Sequence, residues 1–175
     1  MTEQKTIDTD NINTNKINIV LLEPEIPQNT GNIGRTCKAM GAVLHLIEPL
    51  GFSIEDKYLR RAGMDYWKDL DVKTYKSFEH FLSCHPEGQK VFISQKAGVR
   101  CDRFSYPPGV FLIFGKESTG LPEDMIVENR DNSVRVPMSE GTRSLNLANA
   151  VSILCYEVNR QNDFQGMKTA GILAG

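Results

Sequence analysis

Neither an apolar run long enough to cross a bilayer nor a paired-cysteine motif occurs in this 175-residue sequence. Its longest apolar stretches, Ile17 to Leu22 and Val110 to Phe114, fall far short of the roughly 18 to 20 residues that span a membrane, so no membrane partner is expected. The cysteines, Cys37, Cys84, Cys101 and Cys155, are widely spaced and lack the C-x-x-C pairing of zinc and redox sites, which predicts reduced core thiols. His45, His80 and His85 fall in no ligand spacing, so structural or surface histidines and no metal are expected. Nucleotide and hydrolase fingerprints are also missing. There is no G-x-G-x-x-G and no G-x-S-x-G, and Lys116 is followed by Glu117 where a phosphate-binding loop needs Ser or Thr. Charge of neither sign dominates: 20 Lys plus Arg stand against 22 Asp plus Glu, a formal net charge of -2. The whole molecule is therefore no polyanion magnet, and any nucleic-acid site has to be a local patch.

What is present reads as one folded domain, with a hydrophobic fraction of 40%. Residues 1–16 are polar, with no apolar stretch for a signal peptide and too many acids for a transit peptide. They are expected to form a disordered tail on a cytoplasmic protein, followed by a domain over 17–161 and a flexible tail over 162–175. Ile17 to Glu23 is a β-branched apolar run closed by Pro24, a buried strand; Ile33, Cys37 and Met40 then recur at helical spacing up to Gly41, with Asn29 and Thr30 as N-cap candidates. Strands are expected at Val43 to Ile47, Val72 to Tyr75, Val91 to Ser94, Gly109 to Gly115 and Ser133 to Pro137. Helices are expected at Glu55 to Gly63, at Ser77 to Cys84, and at Asn146 to Arg160 with Leu147, Val151, Leu154 and Val158 on one stripe. Alternation of this kind implies an α/β fold, a mostly parallel sheet flanked by helices on both faces.

In such sheets ligands bind beyond the carboxyl ends of the strands, and three glycine-bearing segments fall there. Asn29 to Arg35, NTGNIGR, suits either a phosphate at a helix start or an ordinary Gly-rich turn. Phe114 to Pro122, FGKESTGLP, follows the most hydrophobic strand, and Val136 to Ala150 runs from a strand end through a Ser/Gly loop to a helix that Asn146 can cap. Lys57, Arg60, Arg61 and Lys68, interleaved with Tyr58, Tyr66 and Trp67, suit either RNA phosphate with a stacked base or a solvated helix face.

NTGNIGR, FGKESTGLP and TRSLNLANAV, in that order, resemble the three motifs of the SpoU branch of the SPOUT RNA methyltransferases. LLEPEIPQNTGN, IEPLGF, LRRAGMDY and VPM extend the resemblance to the small single-domain tRNA wobble-nucleotide 2'-O-methyltransferases, over about Ile17 to Gln161. Gly34 and Ser139 to Thr142 depart from the pattern of the best-known members, outside the cofactor loops. The resemblance implies a C-terminal deep trefoil knot, a homodimer, and S-adenosylmethionine as cofactor. It implies a tRNA substrate of the leucine type, methylated on the wobble ribose of cytidine or carboxymethylaminomethyluridine. Alternatives are a noncatalytic RNA-binding protein of the same fold, or methylation of another tRNA or rRNA position.

By motif matching, the cofactor falls to Ser94, Gly115, Val136 and Ser144, with Gly120, Met138 and Leu145 beside them. The catalytic residue is Arg35, and Asn29, Glu117, Asn146, Arg60 and Arg61 are the substrate-binding candidates. A guanidinium has a pKa above about 12, so Arg35 is expected to clamp phosphate and stabilise the developing alkoxide rather than act as a base.

Overall fold

The structure is a computed structural model that describes residues 15–53, 67 and 69–172. Seven strands, β1 (Asn18–Leu22), β2 (Val43–Ile47), β3 (Val72–Tyr75), β4 (Lys90–Ile93), β5 (Val99–Arg100), β6 (Phe111–Phe114) and β7 (Ser133–Arg135), form one sheet in the order β3-β2-β1-β6-β4-β7-β5. Every neighbouring pair is parallel. The described helices are α1 (Pro27–Met40), α2 (Phe78–Cys84), α3 (Glu123–Glu128) and α4 (Leu147–Gln161).

Side chains alternate across a strand, and β1 shows how this builds two cores. Ile19 and Leu21 point to the side covered by α1 and α4, where Ile33, Cys37, Val151, Leu154 and Val158 complete the packing. Val20 and Leu22 point to the other side, against Phe81 of α2 and Ile126 of α3. Both faces of a strand like this are apolar, so it reads as a continuous hydrophobic run. The cysteines of the first core are thiols: burial pushes Cys155 up to about 12 and raises Cys37 as well, which leaves both without nucleophilic character.

Several boundaries match the sequence reading closely. Ser77 caps α2 by accepting from the His80 N–H, and α1 stops at Gly41, which is left-handed at φ 64°. The short strand β5 and the helix α3 were not anticipated, being too short to show a periodicity. The helix expected over Glu55 to Gly63 lies outside the described residues.

The start of α1 requires a correction. NTGNIGR is not a loop with a cap at Asn29 or Thr30; it lies wholly inside a helix that begins at Pro27 and has no side-chain cap at Ile26. Pro27 is preorganised for the first turn, and the N–H groups of Glu25 and Ile26, just ahead of it, find a partner remote in sequence, Glu117. Gly34 serves packing, since a Cβ there would lie 3.1 Å from both Leu70 and Trp67. Arg35 therefore sits more than two turns inside α1, not at its start.

Candidate active site

The chain runs outward through β1, β2 and β3, then crosses back to build β4 to β7 on the opposite side of β1. Crevices beyond the carboxyl ends of strands open at such reversals. A cavity of about 410 Å³, within the usual size of a small-molecule site, opens beyond β4, β6 and β7. Its apolar walls include Ile93, Phe114, Leu121, Val136 and Leu147.

The floor is the segment after β6. Gly115 is buried, and a Cβ on it would lie 2.1 Å from the carbonyl carbon of Gly120. Only glycine lets the chain fold back so tightly, and Gly120 closes the turn at φ 71° by donating to the Lys116 carbonyl over 2.8 Å.

That turn is bound to the segment after β1 by carboxylates. Glu117 accepts from the backbone N–H groups of Glu25 (2.8 Å) and Ile26 (3.3 Å) and from the Asn29 amide (3.0 Å). Asn29 in turn accepts from the Asn146 amide over 2.9 Å, and Asn146 accepts from the N–H groups of Ala148 and Asn149 at the start of α4. A single relay thus caps two helices and fixes three segments far apart in sequence. Alongside it, Ser118 donates through its backbone N–H and its hydroxyl to Glu25, which holds that carboxyl below the usual range. Lys116 pairs with Glu23 at 2.7 Å, which raises the lysine above its ordinary value.

All seven residues assigned to the cofactor from sequence, Ser94, Gly115, Gly120, Val136, Met138, Ser144 and Leu145, line this cavity. So do Asn29, Glu117 and Asn146, although their side chains are occupied with one another and with helix ends, so they position the site. Arg60 and Arg61 lie outside the described residues. Arg35 is exposed on α1 and does not line the cavity, so the motif that predicts it beside the other two loops does not bring it there within one chain.

The sequence reading missed Gln95, Lys96 and Arg143, which also line the cavity. Lys96 is ion-paired with Glu123. Arg143 stands inside the third motif, next to Ser144, and its adjacency to that residue was the available signal.

The chemistry of the walls suits S-adenosylmethionine. Backbone groups at strand ends and apolar side chains fit an adenosine, and the two lining lysines are neutralised by carboxylates, which leaves no cradle for a polyphosphate. Among the described residues no cluster of His, Cys, Asp or Glu could hold a metal ion, and no helix is long and apolar enough to cross a membrane.

Residues 16–156 match the model of the SpoU rRNA Methylase family. The chain belongs to that family. A relative from Saccharophagus degradans, a tRNA (cytidine(34)-2'-O)-methyltransferase, is 45% identical over 152 residues, covering 86% of this chain and 99% of its own. A solved structure concerned with the 2-OH methylation of C/U34 on tRNA superposes with a TM-score of 0.81 at 40% identity, covering 87% of this chain and 99% of that one. An AdoMet-bound rRNA methyltransferase from Sinorhizobium meliloti has a TM-score of 0.75 at 25% identity, over 83% of this SpoU-family chain and 56% of its own.

Proposed function

We propose that this chain transfers the methyl group of S-adenosylmethionine to the ribose 2'-oxygen of the wobble nucleotide of tRNA, a cytidine or a modified uridine at position 34, with leucine tRNAs as the expected substrates. The observation that carries this reading is the cavity, where segments after β4, β6 and β7 converge on one pocket of the right size and polarity. The relatives named above support the choice of substrate.

Gly115 and Val136 would offer backbone groups to the adenine, Ser94 and Ser144 would hold polar edges, and Gly120, Met138 and Leu145 would close the walls. When bound, the cofactor supplies an electrophilic methyl group on a positively charged sulfur. The chain's part is to hold the ribose hydroxyl in line with it. The Glu117–Asn29–Asn146 relay keeps the walls in register, so alignment costs little reorganisation during reaction. Arg35 stabilises negative charge developing on the 2'-oxygen, with the proton leaving to a phosphate oxygen or water.

Because Arg35 does not line its own chain's cavity, it acts in the cavity of a second copy. Ile153 and Tyr156 are exposed on α4 at 39% and 55%, and α4 packs along α1 through Thr36 and Ser152. A homodimer formed on these two helices covers that apolar surface and brings Arg35 across. The segment 136–146, which returns from β7 to α4, completes the trefoil knot of this reading, and the enzyme works on cytoplasmic tRNA.

The test is transfer of tritiated methyl to undermethylated tRNA, with the methylated ribose mapped by nuclease digestion. Label confined to position 34 is the expected result. Label elsewhere overturns the substrate, and cofactor binding without any transfer makes the chain a noncatalytic RNA binder.

A further inference from the structure

Three cationic side chains line the cavity among the described residues, Lys96, Lys116 and Arg143. Two are already neutralised, Lys96 by Glu123 and Lys116 by Glu23. The one carboxylate in the lining, Glu117, has both oxygens engaged by N–H donors from Glu25, Ile26 and Asn29. Arg143 is left as the single lining cation that makes no ion pair or hydrogen bond with any described residue. Its side chain is exposed, at the rim rather than the floor.

The backbone carrying it is fixed on one side and adaptable on the other. Three residues on, Asn146 is locked to Asn29 and caps α4. Two residues before, Gly141 is left-handed at φ 80°, inside a turn in which Thr142 donates to the Ser139 carbonyl. An arginine so placed is aimed at the cavity mouth and can adjust to a ligand that enters there. Guanidinium presents a planar fork that matches the oxygens of a phosphate. A protein with a formal net charge of -2 has few ways to attract RNA except through such local cations.

We infer that Arg143 is a substrate-positioning residue that grips a backbone phosphate next to the target ribose. The inference rests on the proposed transfer to RNA. It adds to that reading a residue on the same chain as the cofactor walls, so the ribose is held by the rim of one subunit while Arg35 reaches it from the other. The only other oxyanion entering this cavity is the carboxylate of the methionine moiety, and the test separates the two.

The experiment compares wild type, Arg143→Ala, Arg143→Lys and Arg143→Glu, all checked by thermal melting. Cofactor affinity is measured by calorimetry, and tRNA affinity by filter binding across a salt series. Arg143→Ala is expected to raise the KM and Kd for tRNA about tenfold and to reduce the salt slope by about one, with cofactor affinity unchanged. Arg143→Lys should recover part of the loss, and Arg143→Glu, whose exposed site tolerates the charge, should be worse than Ala. Weakened cofactor binding with normal tRNA affinity overturns the inference in favour of the carboxylate. Unchanged KM, Kd and salt slope in an active enzyme also overturn it, whereas a wild type inactive on all RNA fails at the proposed function instead.

Discussion

Two polar relays lie on this sheet, and they differ in what surrounds them. On the β2–β3 side, His45 shares a hydrogen bond with the Tyr75 hydroxyl at 2.9 Å, and Tyr75 shares another with His85 at 2.8 Å. The rings of Phe81 and Phe111 pack against both histidines. At the other relay, Glu117, Asn29 and Asn146 are bonded in sequence beside an open cavity. The first relay carries strongly displaced ionisation: burial depresses His45 to about 3 and His85 to about 4. None of its members lines the cavity. Perturbed ionisation is a fair pointer to active sites in general, yet here it marks aromatic cover. The relay beside the cavity is built instead from amides and a carboxylate that orient backbone, which suits a reaction whose catalytic need is alignment.

The sharpest way to break the cavity side is Gly115→Ala. One methyl group would overlap the Gly120 backbone at 2.1 Å, so the turn has to reopen. Complete loss of measurable cofactor binding is expected, with a fall of several degrees in Tm. Gly120→Ala is the control, because its Cβ would meet nothing within 4 Å and only the left-handed φ of 71° is strained, a cost of roughly 1 to 2 kcal/mol. Calorimetry showing equal losses for the two would mean that the close approach at Gly115 is unimportant.

Next in size is Arg35→Ala, for which a loss of about 100-fold or more in single-turnover rate is expected, with cofactor affinity retained. Mixing it with Gly115→Ala tests the assignment between subunits. A heterodimer has one cavity with intact walls facing an intact Arg35, so activity should return on mixing two inactive proteins. Failure to recover activity in heterodimers verified by mass would place Arg35 in its own chain's site or outside the chemistry.

The relays themselves are compared by Glu117→Gln and Tyr75→Phe. Glutamine keeps the shape but turns an amide donor toward N–H donors, so roughly 1 to 3 kcal/mol of stability and about tenfold in kcat should be lost. Tyr75→Phe leaves His45 Nδ1 and His85 Nε2 each without a partner, while His45 Nε2 keeps Asn18, and should cost a similar stability. Its kcat and KM, measured well below its Tm, should stay at the wild-type values. A kinetic defect in Tyr75→Phe would show that the two relays are coupled through the sheet.

What was legible in advance follows from how local each cause is. Strands β2 and β3 and the helices α2 and α4 could be placed within a residue or so, because alternation, a Ser77 cap and a four-three-four stripe are local signals. The seven cofactor residues came from motif order, and the cavity gathers all of them. The start of α1 could not be read, since its cap is supplied by Glu117, 91 residues from Ile26. Arg35 illustrates the same limit. A motif names the residue type and its order in the chain, but the subunit whose cavity it serves depends on how two copies meet. Lys96 and Lys116 show it too, because their neutralisation by Glu123 and Glu23 is a fact of folding alone.

The smallest effect expected at neutral pH, and the most diagnostic of the closed relay, is on acid stability. An unfolded histidine titrates near 6.5, whereas folded His45 and His85 do so at about 3 and about 4. Between those values the unfolded chain binds more protons than the folded one, so stability rises with pH across the window and is lost as pH falls below about 6.5. Above that point both forms are neutral and the contribution is flat. Lys73 faces both histidines and adds to the depression. Burial also lowers Lys90 and raises Tyr75. The lowered carboxyls Glu25, Glu79, Asp102, Glu123 and Glu157 contribute only further down, below roughly pH 5, where unfolded carboxylates begin to take up protons. Urea midpoints measured from pH 7 to pH 5 therefore isolate the histidines. The midpoint should fall over that range in wild type, and the fall should be about halved in His45→Gln, which removes one of the two titrating groups while keeping an amide for Tyr75 and Asn18. A His45→Gln profile parallel to wild type would show that His45 protonates freely in the folded state and that the relay is not sealed.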